Sequence, residues 1–322
     1  MDIPMKNFSA MIIGGTGQFG ILMGRLLQKK NYKIFITSRN TKKKDYIRKY
    51  ISKSKLVKLN IYNKREIKKV ITNINPKLIF YFAGQSSPQQ SFKRKKETLR
   101  SNFYGCKNVL EVIQENNIDC KFLNAASSEM YGHINGKIKL STPKKPLSPY
   151  GLAKKKSFNL VKEYRVKYKM KNYNAILFNS ESFLRKKNFV IPKICLAAIN
   201  AHKYKKKTTL NNILVSREWN WCESQCELIF KFLKKTPQDF ISSNGKCYSI
   251  QDMLFFAFKY FDLNYKQFIK VKNLSLGKNE VKSKKTDFLE SLKKNKIKIN
   301  YKIYGKSLIF KMIKYYLNEN KF

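Results

Sequence analysis

Seven residues near the start of the chain, GGTGQFG at positions 14–20, limit its possible folds more than any other stretch. An apolar run at residues 10–13 precedes them, and residues 20–29 carry apolar side chains at helical spacing. A strand, a glycine turn and a helix in this order favour dinucleotide binding over a purely structural turn, because glycines let the backbone approach a pyrophosphate. The cofactor-binding residues predicted here are Gly14, Thr16, Gly17, Gln18, Phe19 and Gly20.

Strand and helix patterns alternate through the first half of the chain. Short apolar runs predict strands at residues 10–13, 32–37, 57–59, 77–83, 120–125 and 174–178. Helical patterns separate them at residues 20–29, 65–73, 99–114 and 148–168. This alternation predicts an α/β fold with a Rossmann-type doubly wound parallel sheet and helices on both faces.

The regular alternation ends near residue 178. We expect residues 1–178 to form the cofactor-binding domain, and residues 211–245 to return to it with a helix at 223–234 and a strand at 239–242. Residues 179–210 and 246–322 predict a smaller, mostly helical C-terminal domain that binds the substrate. A chain of 322 residues is long enough for this arrangement.

The chain is strongly basic, with 68 Lys and Arg residues against 20 Asp and Glu residues and a formal net charge of +48. Such a charge is compatible with binding to nucleic acid or to an anionic surface. The lysines are spread along the whole chain rather than gathered in one arm, which favours a compositional bias instead. We therefore expect no nucleic-acid partner, although a basic surface suits a small polyanionic substrate.

Cysteine and histidine usage argues against disulfides and against a metal site. Six cysteines are sparse in a chain of this length and indicate reduced thiols. Cys222 and Cys226 are close in sequence, but the chain has only His133 and His202, so no zinc site is predicted. The absence of a secretory signal pattern and of an 18-residue apolar run predicts a cytoplasmic protein without a membrane span.

The end of the second predicted strand bears on which cofactor is bound. An Asp or Glu at this position bonds the ribose 2′-hydroxyl of NAD. The chain instead has Thr37, Ser38, Arg39 and Asn40. Because a guanidinium group matches phosphate oxygens, Arg39 favours the 2′-phosphate of NADP, with an ordinary surface cation as the alternative.

A tyrosine and a lysine lie four residues apart at the start of the helix predicted over residues 148–168. Ser148 and Pro149 suit the first positions of that helix. Tyr150 and Lys154 then share one helix face. Because a nearby cation stabilises a phenolate and lowers the pKa of a phenol, Tyr150 is a candidate general base near neutral pH.

Several motifs together carry a family resemblance. They are GGTGQFG, FYFAGQSSPQQSF, SSEMYG, SPYGLAK, LFNSESFLRKKNFVIPKI and SREW. The chain resembles extended short-chain dehydrogenases/reductases, most closely the GDP-mannose 4,6-dehydratase family, over residues 10–225. The resemblance fades through residues 240–322, where only NEV at 279–281 is recognisable.

The resemblance implies roles for particular residues. Ser127, Glu129, Tyr150 and Lys154 would be catalytic, with Ser127 bonding the sugar 4-hydroxyl, Tyr150 acting as base and Glu129 as the acid/base of the elimination. Further cofactor-binding residues would be Asn60, Ile61, Phe82, Ala83, Gly84, Gln85, Ser86, Tyr150, Lys154, Ser180 and Arg185. The residues that hold the nucleotide sugar would be Ser86, Ser127, Asn179, Lys193, Arg217 and Glu280.

The implied activity is that of a lyase rather than of an oxidoreductase. Oxidation at C4 of GDP-mannose would acidify the C5 proton, Glu129 would eliminate water across C5 and C6, and the hydride would return to C6. The product would be GDP-4-keto-6-deoxymannose, with NADP regenerated. A homodimer or homotetramer is expected by analogy with the family.

Some positions depart from the family pattern. They are Phe19, Ser180, Phe183, Leu184, Asn220, Trp221 and Gly277, with Lys278 a possible substitute for a phosphate-binding arginine at 277. These departures leave three alternatives to the dehydratase: an NADP-dependent nucleotide-sugar reductase, an epimerase, or a catalytically weakened paralogue. A reductase or an epimerase needs no elimination acid, so Glu129 favours the dehydratase.

Overall fold

The computed structural model describes residues 8–134, 136–272 and 281–319. In these ranges the strands are β1 (Ser9–Ile13), β2 (Lys33–Ser38), β3 (Ser54–Lys58), β4 (Leu78–Tyr81), β5 (Lys121–Ser127), β6 (Lys137–Ile138), β7 (Lys171–Leu177), β8 (Ser180–Glu181), β9 (Thr208–Leu210), β10 (Ser216–Glu218), β11 (Asn220–Trp221), β12 (Asp239–Ser242), β13 (Cys247–Ser249), β14 (Ile269–Val271) and β15 (Ser283–Thr286). The helices are α1 (Gln18–Lys29), α2 (Lys44–Tyr50), α3 (Lys64–Ile74), α4 (Pro88–Lys93), α5 (Lys95–Leu99), α6 (Gly105–Glu115), α7 (Pro149–Lys167), α8 (Val190–Tyr204), α9 (Cys222–Phe232), α10 (Ile250–Lys259), α11 (Phe288–Lys294) and α12 (Gly305–Glu319).

A seven-stranded parallel sheet forms the centre of the first of two compact units. Its strand order is β3-β2-β1-β4-β5-β7-β12. The chain runs outward from β1 to β3 and then crosses to β4 on the other side of β1, so a topological switch point lies between β1 and β4. The α/β, Rossmann-type doubly wound architecture is confirmed.

The central strands of this sheet are mostly apolar, as expected of strands that are buried on both faces. All four residues of β4, LIFY, are buried, and β5 is buried along nearly its whole length. One face packs on α3, α6 and α7 through a core that includes Met11, Ile79 and Phe122. Burial of such continuous apolar runs is the main stabilising contribution to a parallel sheet.

Two elements differ from the sequence prediction for local physical reasons. The helix expected over residues 99–114 is divided, because a π-helical segment, Arg100–Tyr104, precedes α6. Within that segment the Asn102 side-chain amide donates to the carbonyl of Thr98, 3.0 Å away. The strand expected over residues 174–178 begins earlier, at Lys171, because residues 171–173 pair with β5 from Lys121 onward.

The chain folds into two compact units. The first comprises Met1–Gly132, Leu140–Leu177 and Cys226–Ser242, so the segment that returns to the central sheet in this division is Cys226–Ser242. The second comprises His133–Lys139, Phe178–Gln225 and Ser243–Phe322.

The second unit combines helices with short sheets. Its core packs α8, α10 and α12 around Trp219 and Trp221. Its strands form a four-stranded sheet in the order β13-β10-β15-β6 and the parallel pairs β8–β11 and β9–β14. Among the described residues of this unit, the helices α8, α10, α11 and α12 are each longer than any strand, so short strands accompany a mostly helical unit.

Three further observations concern the part of the chain that the structure describes. No helix there is both long enough and apolar enough to cross a membrane. No group of three His, Cys, Asp or Glu side chains there could hold a metal ion. All six cysteines are free, and five of them are buried.

Candidate functional site

The glycine turn follows β1 directly and leads into α1 at the switch-point edge of the sheet. Gly14 has a φ of +81°, and a Cβ atom there would lie 2.5 Å from the backbone nitrogen of Ala83. The backbone nitrogen of Gly17 donates to the carbonyl of Gly14 at 3.3 Å. Gly17 is the N-cap residue of α1, and it has no side chain that could bond to the first N–H groups of the helix. The first N–H groups of α1 therefore suit the phosphates of a dinucleotide.

The segment after β4 lies beside the glycine turn. The backbone nitrogen of Phe82 donates to the carbonyl of Ile13 at 2.9 Å, and the rings of Phe19 and Phe82 have centroids 5.5 Å apart. The Asn102 amide donates to the carbonyl of Gln85 at 3.1 Å. The structure thus brings together the cofactor-binding residues predicted after β1 and those predicted at positions 82–86.

Three further predicted cofactor-binding residues follow the ends of the neighbouring strands β2 and β3. The backbone nitrogen of Asn60 donates to the Glu66 carboxylate at 2.9 Å, and the Ile61 carbonyl accepts from the Asn108 amide at 3.0 Å. Arg39 is exposed immediately after β2. An exposed guanidinium group at this position is available to a phosphate.

Ser127 and Glu129 lie where β5 ends. Ser127 is the last residue of the strand, and its hydroxyl accepts a hydrogen bond from the backbone nitrogen of Glu129 at 3.2 Å. The following 3-10 turn, Ser128–Met130, leaves the Glu129 side chain half-buried. The hydroxyl and the carboxylate are therefore on adjacent parts of one tight turn.

The start of α7 packs against this turn. The Ser148 hydroxyl accepts from the backbone nitrogen of Gly151 at 3.0 Å, and Pro149 occupies the first helical position, as the sequence predicted. A Cβ atom on Gly151 would lie 2.4 Å from the carbonyl oxygen of Glu129. Only glycine permits this approach, which places the helix of Tyr150 and Lys154 against the turn of Glu129.

Lys154 is held in place by the strand. Its ammonium group donates to the carbonyl of Ala125 at 2.7 Å and lies 5.8 Å from the centroid of the Tyr150 ring. Burial lowers the pKa of Lys154 to about 8, and an electrostatic interaction with the Cys106 thiol opposes this shift. At pH 7 the side chain remains mostly protonated, so it is a cation that can stabilise a phenolate at Tyr150.

The second unit contains the other predicted contacts. The Asn179 carbonyl accepts from the backbone and the side-chain amide of Asn220, at 2.8 and 3.0 Å, and the Ser180 hydroxyl donates to the carbonyl of Phe178. Lys193 is exposed on α8. The Arg217 guanidinium donates to the carbonyl of Val281 at 2.8 Å.

These residues lie on different elements of the unit. Asn179 and Ser180 adjoin the β8–β11 pair, whereas Arg217 is on β10. Glu280, together with Gly277 and Lys278, lies outside the described residues.

Sequence reasoning missed three residues that shape these sites. Gly151 and Asn102 position backbone segments, and Glu181 is a buried carboxylate on β8. Glu181 alone gave a usable signal, because a carboxylate inside the apolar stretch LFNSESFL is unusual. The roles of Gly151 and Asn102 depend on contacts between segments that are distant in the sequence.

The chain is similar to known proteins over most of its length. A family model described as GDP-mannose 4,6 dehydratase matches residues 11–302. A GDP-mannose 4,6 dehydratase of Dictyostelium discoideum is 30% identical over 272 residues, which are 79% of this chain and 76% of that protein. GDP-mannose 4,6 dehydratase 1 of Arabidopsis thaliana is 28% identical over 305 residues, which are 89% of this chain and 84% of that protein.

Solved structures support the fold. A dTDP-glucose 4,6-dehydratase of Streptomyces venezuelae with NAD bound has a TM-score of 0.85 at 15% identity, with 98% of each chain covered. A UDP-glucose 4-epimerase of Thermus thermophilus in complex with NAD has a TM-score of 0.82 at 14% identity, with 95% of this chain and 99% of that chain covered.

Proposed function

The chain belongs to the GDP-mannose 4,6-dehydratase family, and we propose that it converts GDP-mannose to GDP-4-keto-6-deoxymannose with NADP as a regenerated cofactor. The family-level activity is that of a dehydratase, a hydro-lyase. The observation that carries the residue assignment is the close approach of Gly151 to the Glu129 carbonyl. It brings the helix of Tyr150 and Lys154 against the turn that holds Ser127.

Four side chains divide the chemistry between them. Bound NADP would supply a hydride acceptor for the oxidation at C4 and, once reduced, a hydride donor for C6. The Ser127 hydroxyl orients the sugar 4-hydroxyl, and the Tyr150 phenolate, stabilised by the Lys154 cation, takes its proton. Each positioned acid or base contributes roughly 10²–10⁴-fold to the rate.

Glu129 distinguishes elimination from simple oxidation. The C4 ketone acidifies the C5 proton, which the Glu129 carboxylate removes. The same carboxyl group then protonates the C6 hydroxyl, which leaves as water. When C6 receives the hydride, the proton held by Tyr150 would pass to C5, so the sugar would have lost one water and the reaction would be an elimination overall.

The choice of NADP rests on the end of β2. Arg39 is exposed there, and the four residues 37–40 include no acid to bond a ribose 2′-hydroxyl. A guanidinium group pairs with a phosphate through parallel hydrogen bonds. An Arg39→Glu variant should therefore lose affinity for NADP and gain affinity for NAD, which equilibrium titration with both dinucleotides will measure.

We further propose that Asn179, Lys193 and Arg217 bind the nucleotide sugar and that Ser86 contributes to the same task. An amide, an ammonium group and a guanidinium group suit the hydroxyl groups and phosphates of such a ligand. A homodimer or homotetramer is proposed on the family analogy alone.

The direct test is a reaction with GDP-mannose. Purified protein is incubated with GDP-mannose and NADP, and the nucleotide sugars are analysed by mass spectrometry. A product lighter by one water supports the proposal. If no nucleotide hexose loses one water, the proposed function is wrong. An oxidised or reduced nucleotide sugar that has lost no water would indicate a reductase.

A further inference from the structure

Three polar side chains lie side by side across the parallel sheet of the first unit. Asn174 on β7 lies directly opposite Asn124 on β5 and directly opposite Asp239 on β12. Both asparagines are fully buried, and the side chain of Asp239 is 15% exposed. Burial of amides in an apolar sheet costs free energy unless they are hydrogen-bonded. We call these three residues the polar row, and the catalytic roles proposed above do not use it.

The hydrogen bonds of the polar row can run in only one direction. The Nδ2 atom of Asn174 donates to Oδ1 of Asp239 at 2.9 Å and to the carbonyl of Phe158 on α7 at 3.0 Å. Because both partners are acceptors, the amide nitrogen of Asn174 must face them and its oxygen must face Asn124. The Nδ2 atom of Asn124 donates to that oxygen at 2.9 Å. Asn174 therefore joins β7 to β5, to β12 and to α7.

A second contact ties α7 to the same strands. The Arg165 guanidinium donates to Oδ1 of Asp239 at 2.9 Å and to the carbonyl of Asn172 on β7 at 3.1 Å. Phe158 and Arg165 are about two turns of α7 apart, so both lie on the side of the helix that faces the sheet. Apolar packing has no preferred direction, whereas hydrogen bonds constrain both distance and angle. These two contacts therefore fix the position of α7 along the sheet.

The elements that the polar row joins also carry proposed catalytic groups. On α7, Tyr150 and Lys154 precede Phe158 by about two turns and about one turn. On β5, Ser127 follows Asn124 by three residues. A shift of α7 along the sheet would therefore change the separation of Tyr150 from Ser127. Misplacement of reacting groups by about 1 Å can cost about 10²-fold in rate.

We propose that Asn174 is a positioning residue, which holds α7 in register with β5 so that Tyr150 and Ser127 meet the sugar 4-hydroxyl together. Asn174 acts through the carbonyl of Phe158 and the amide of Asn124. An apolar side chain at the same position would fill the space but would leave α7 without a directional contact to the strands. The inference rests on the proposed function, which assigns Tyr150 and Ser127 their roles.

The test compares the same substitution at two positions of β7. Asn174→Leu removes the three hydrogen bonds of the amide. Asn172→Leu is the matched control, because Asn172 is also fully buried and lies two residues away on the same face of the strand. The side-chain amide of Asn172 has no hydrogen-bond partner among the described residues. Its backbone carbonyl, which accepts from Arg165, survives the substitution.

Steady-state kinetics of water loss from GDP-mannose give the first readout, with rates expressed per folded molecule of the full-length protein. We expect Asn174→Leu to lower kcat by about 10- to 100-fold, while the KM for GDP-mannose changes by less than about threefold, because the register affects the reaction rather than binding. Asn172→Leu should retain the wild-type kcat. Equal kcat values for the two variants would overturn the inference.

A double variant covers the case in which Asn174→Leu does not fold. Asn174→Asp combined with Asp239→Asn exchanges the amide and the carboxylate within the polar row. The row stays hydrogen-bonded as far as Asn124, but no donor faces the carbonyl of Phe158. We expect kcat to fall by at least about tenfold. A wild-type kcat in this double variant would overturn the inference.

Backbone hydrogen exchange of the ligand-free proteins separates positioning from general stability. In Asn174→Leu, amides of residues 150–158 in α7 should exchange faster than in the wild type, while those of α1 in the same unit keep the wild-type rate. A purely structural role would accelerate exchange in both helices equally, which would overturn the inference. If the wild type removes no water from GDP-mannose, the proposed function is wrong, and the exchange rates alone then decide whether Asn174 fixes α7.

Discussion

Two regions of this protein hold buried charge in opposite ways. In the first unit, the Lys154 ammonium donates a 2.7 Å hydrogen bond to the carbonyl of Ala125. In the second unit, Glu181 and Arg185 face each other across 3.9 Å, and Oε2 and Nε have no hydrogen-bond partner among the described residues. The first arrangement gives the buried charge a hydrogen bond, whereas the second leaves Oε2 and Nε without one among the described residues.

The pKa values of the two buried groups sharpen this comparison. Burial moves both pKa values towards neutral pH, to about 8 for Lys154 and to about 7 for Glu181. At pH 7 Lys154 is therefore mostly charged, whereas Glu181 is about half-ionised.

The largest expected effect concerns the first region. Tyr150→Phe should lower kcat by about 10³-fold, because it removes the only group that takes the C4 proton in the proposed reaction. Affinity for NADP⁺ should fall far less than kcat, because the ring and Lys154 remain. Steady-state assays of water loss provide the measurement. The control is Tyr168→Phe, because Tyr168 is an exposed tyrosine at the end of α7. Equal loss in both variants would contradict the assignment.

The next effect tests the second region through stability. The pKa of Glu181 is raised from 4.5 to about 7, so the folded protein retains a proton that the unfolded chain releases between these values. The free energy of unfolding is therefore highest below pH 4.5. It falls by roughly 3 kcal/mol as the pH rises from 4.5 through 7. Glu181→Gln should not show this loss.

Urea unfolding of wild type and Glu181→Gln at pH 5 and pH 8 measures the difference directly. The variant should be the more stable of the two at pH 8, and its advantage should shrink at pH 5. Parallel pH dependences would show that the carboxylate does not titrate in the folded protein as described.

A third change disturbs the packing in the first region. Gly151→Ala should cost about 1–3 kcal/mol in the free energy of unfolding, because its Cβ would lie 2.4 Å from the Glu129 carbonyl. This exceeds the gain of up to about 1 kcal/mol that alanine brings to a helix. We expect kcat to fall as well. Leu152→Ala, at the neighbouring exposed position, is the control, and equal effects would contradict the packing argument.

The smallest effect is expected at the surface. Glu290→Gln should change the free energy of unfolding by less than about 0.5 kcal/mol, because exposed ion pairs contribute little and are screened by salt. Urea unfolding at low and high salt is the measurement. A large loss would mean that the 3.9 Å pair with Lys139 is stronger than its exposure implies.

Much of the first unit could be predicted from the sequence, because its signals are local. The glycine turn, the apolar strands and the spacing of Tyr150 and Lys154 depend only on neighbours within one turn or one strand. The contact between Gly151 and Glu129 joins segments 22 residues apart, and the Asn102 bond to Gln85 joins segments 17 residues apart. No periodic pattern in the sequence indicates contacts between such distant segments.

The second unit was harder to predict for the same reason. Strand β15 pairs with β6, which lies almost 150 residues earlier, so short basic segments became strands through a partner the sequence did not reveal. The buried state of Glu181 also depends on tertiary packing. Its apolar surroundings in the sequence were a signal, but they did not show that it faces Arg185.

The most direct test of the central claim is the product distribution of Glu129→Gln with GDP-mannose and NADP⁺. The amide cannot accept the C5 proton, so water loss should fall by roughly 10²–10⁴-fold while oxidation at C4 still occurs. Mass spectrometry of the nucleotide sugars, with absorbance of the reduced cofactor, measures both steps. Reduced cofactor without a dehydrated sugar is the predicted result, and dehydration at the wild-type rate would contradict the role of Glu129.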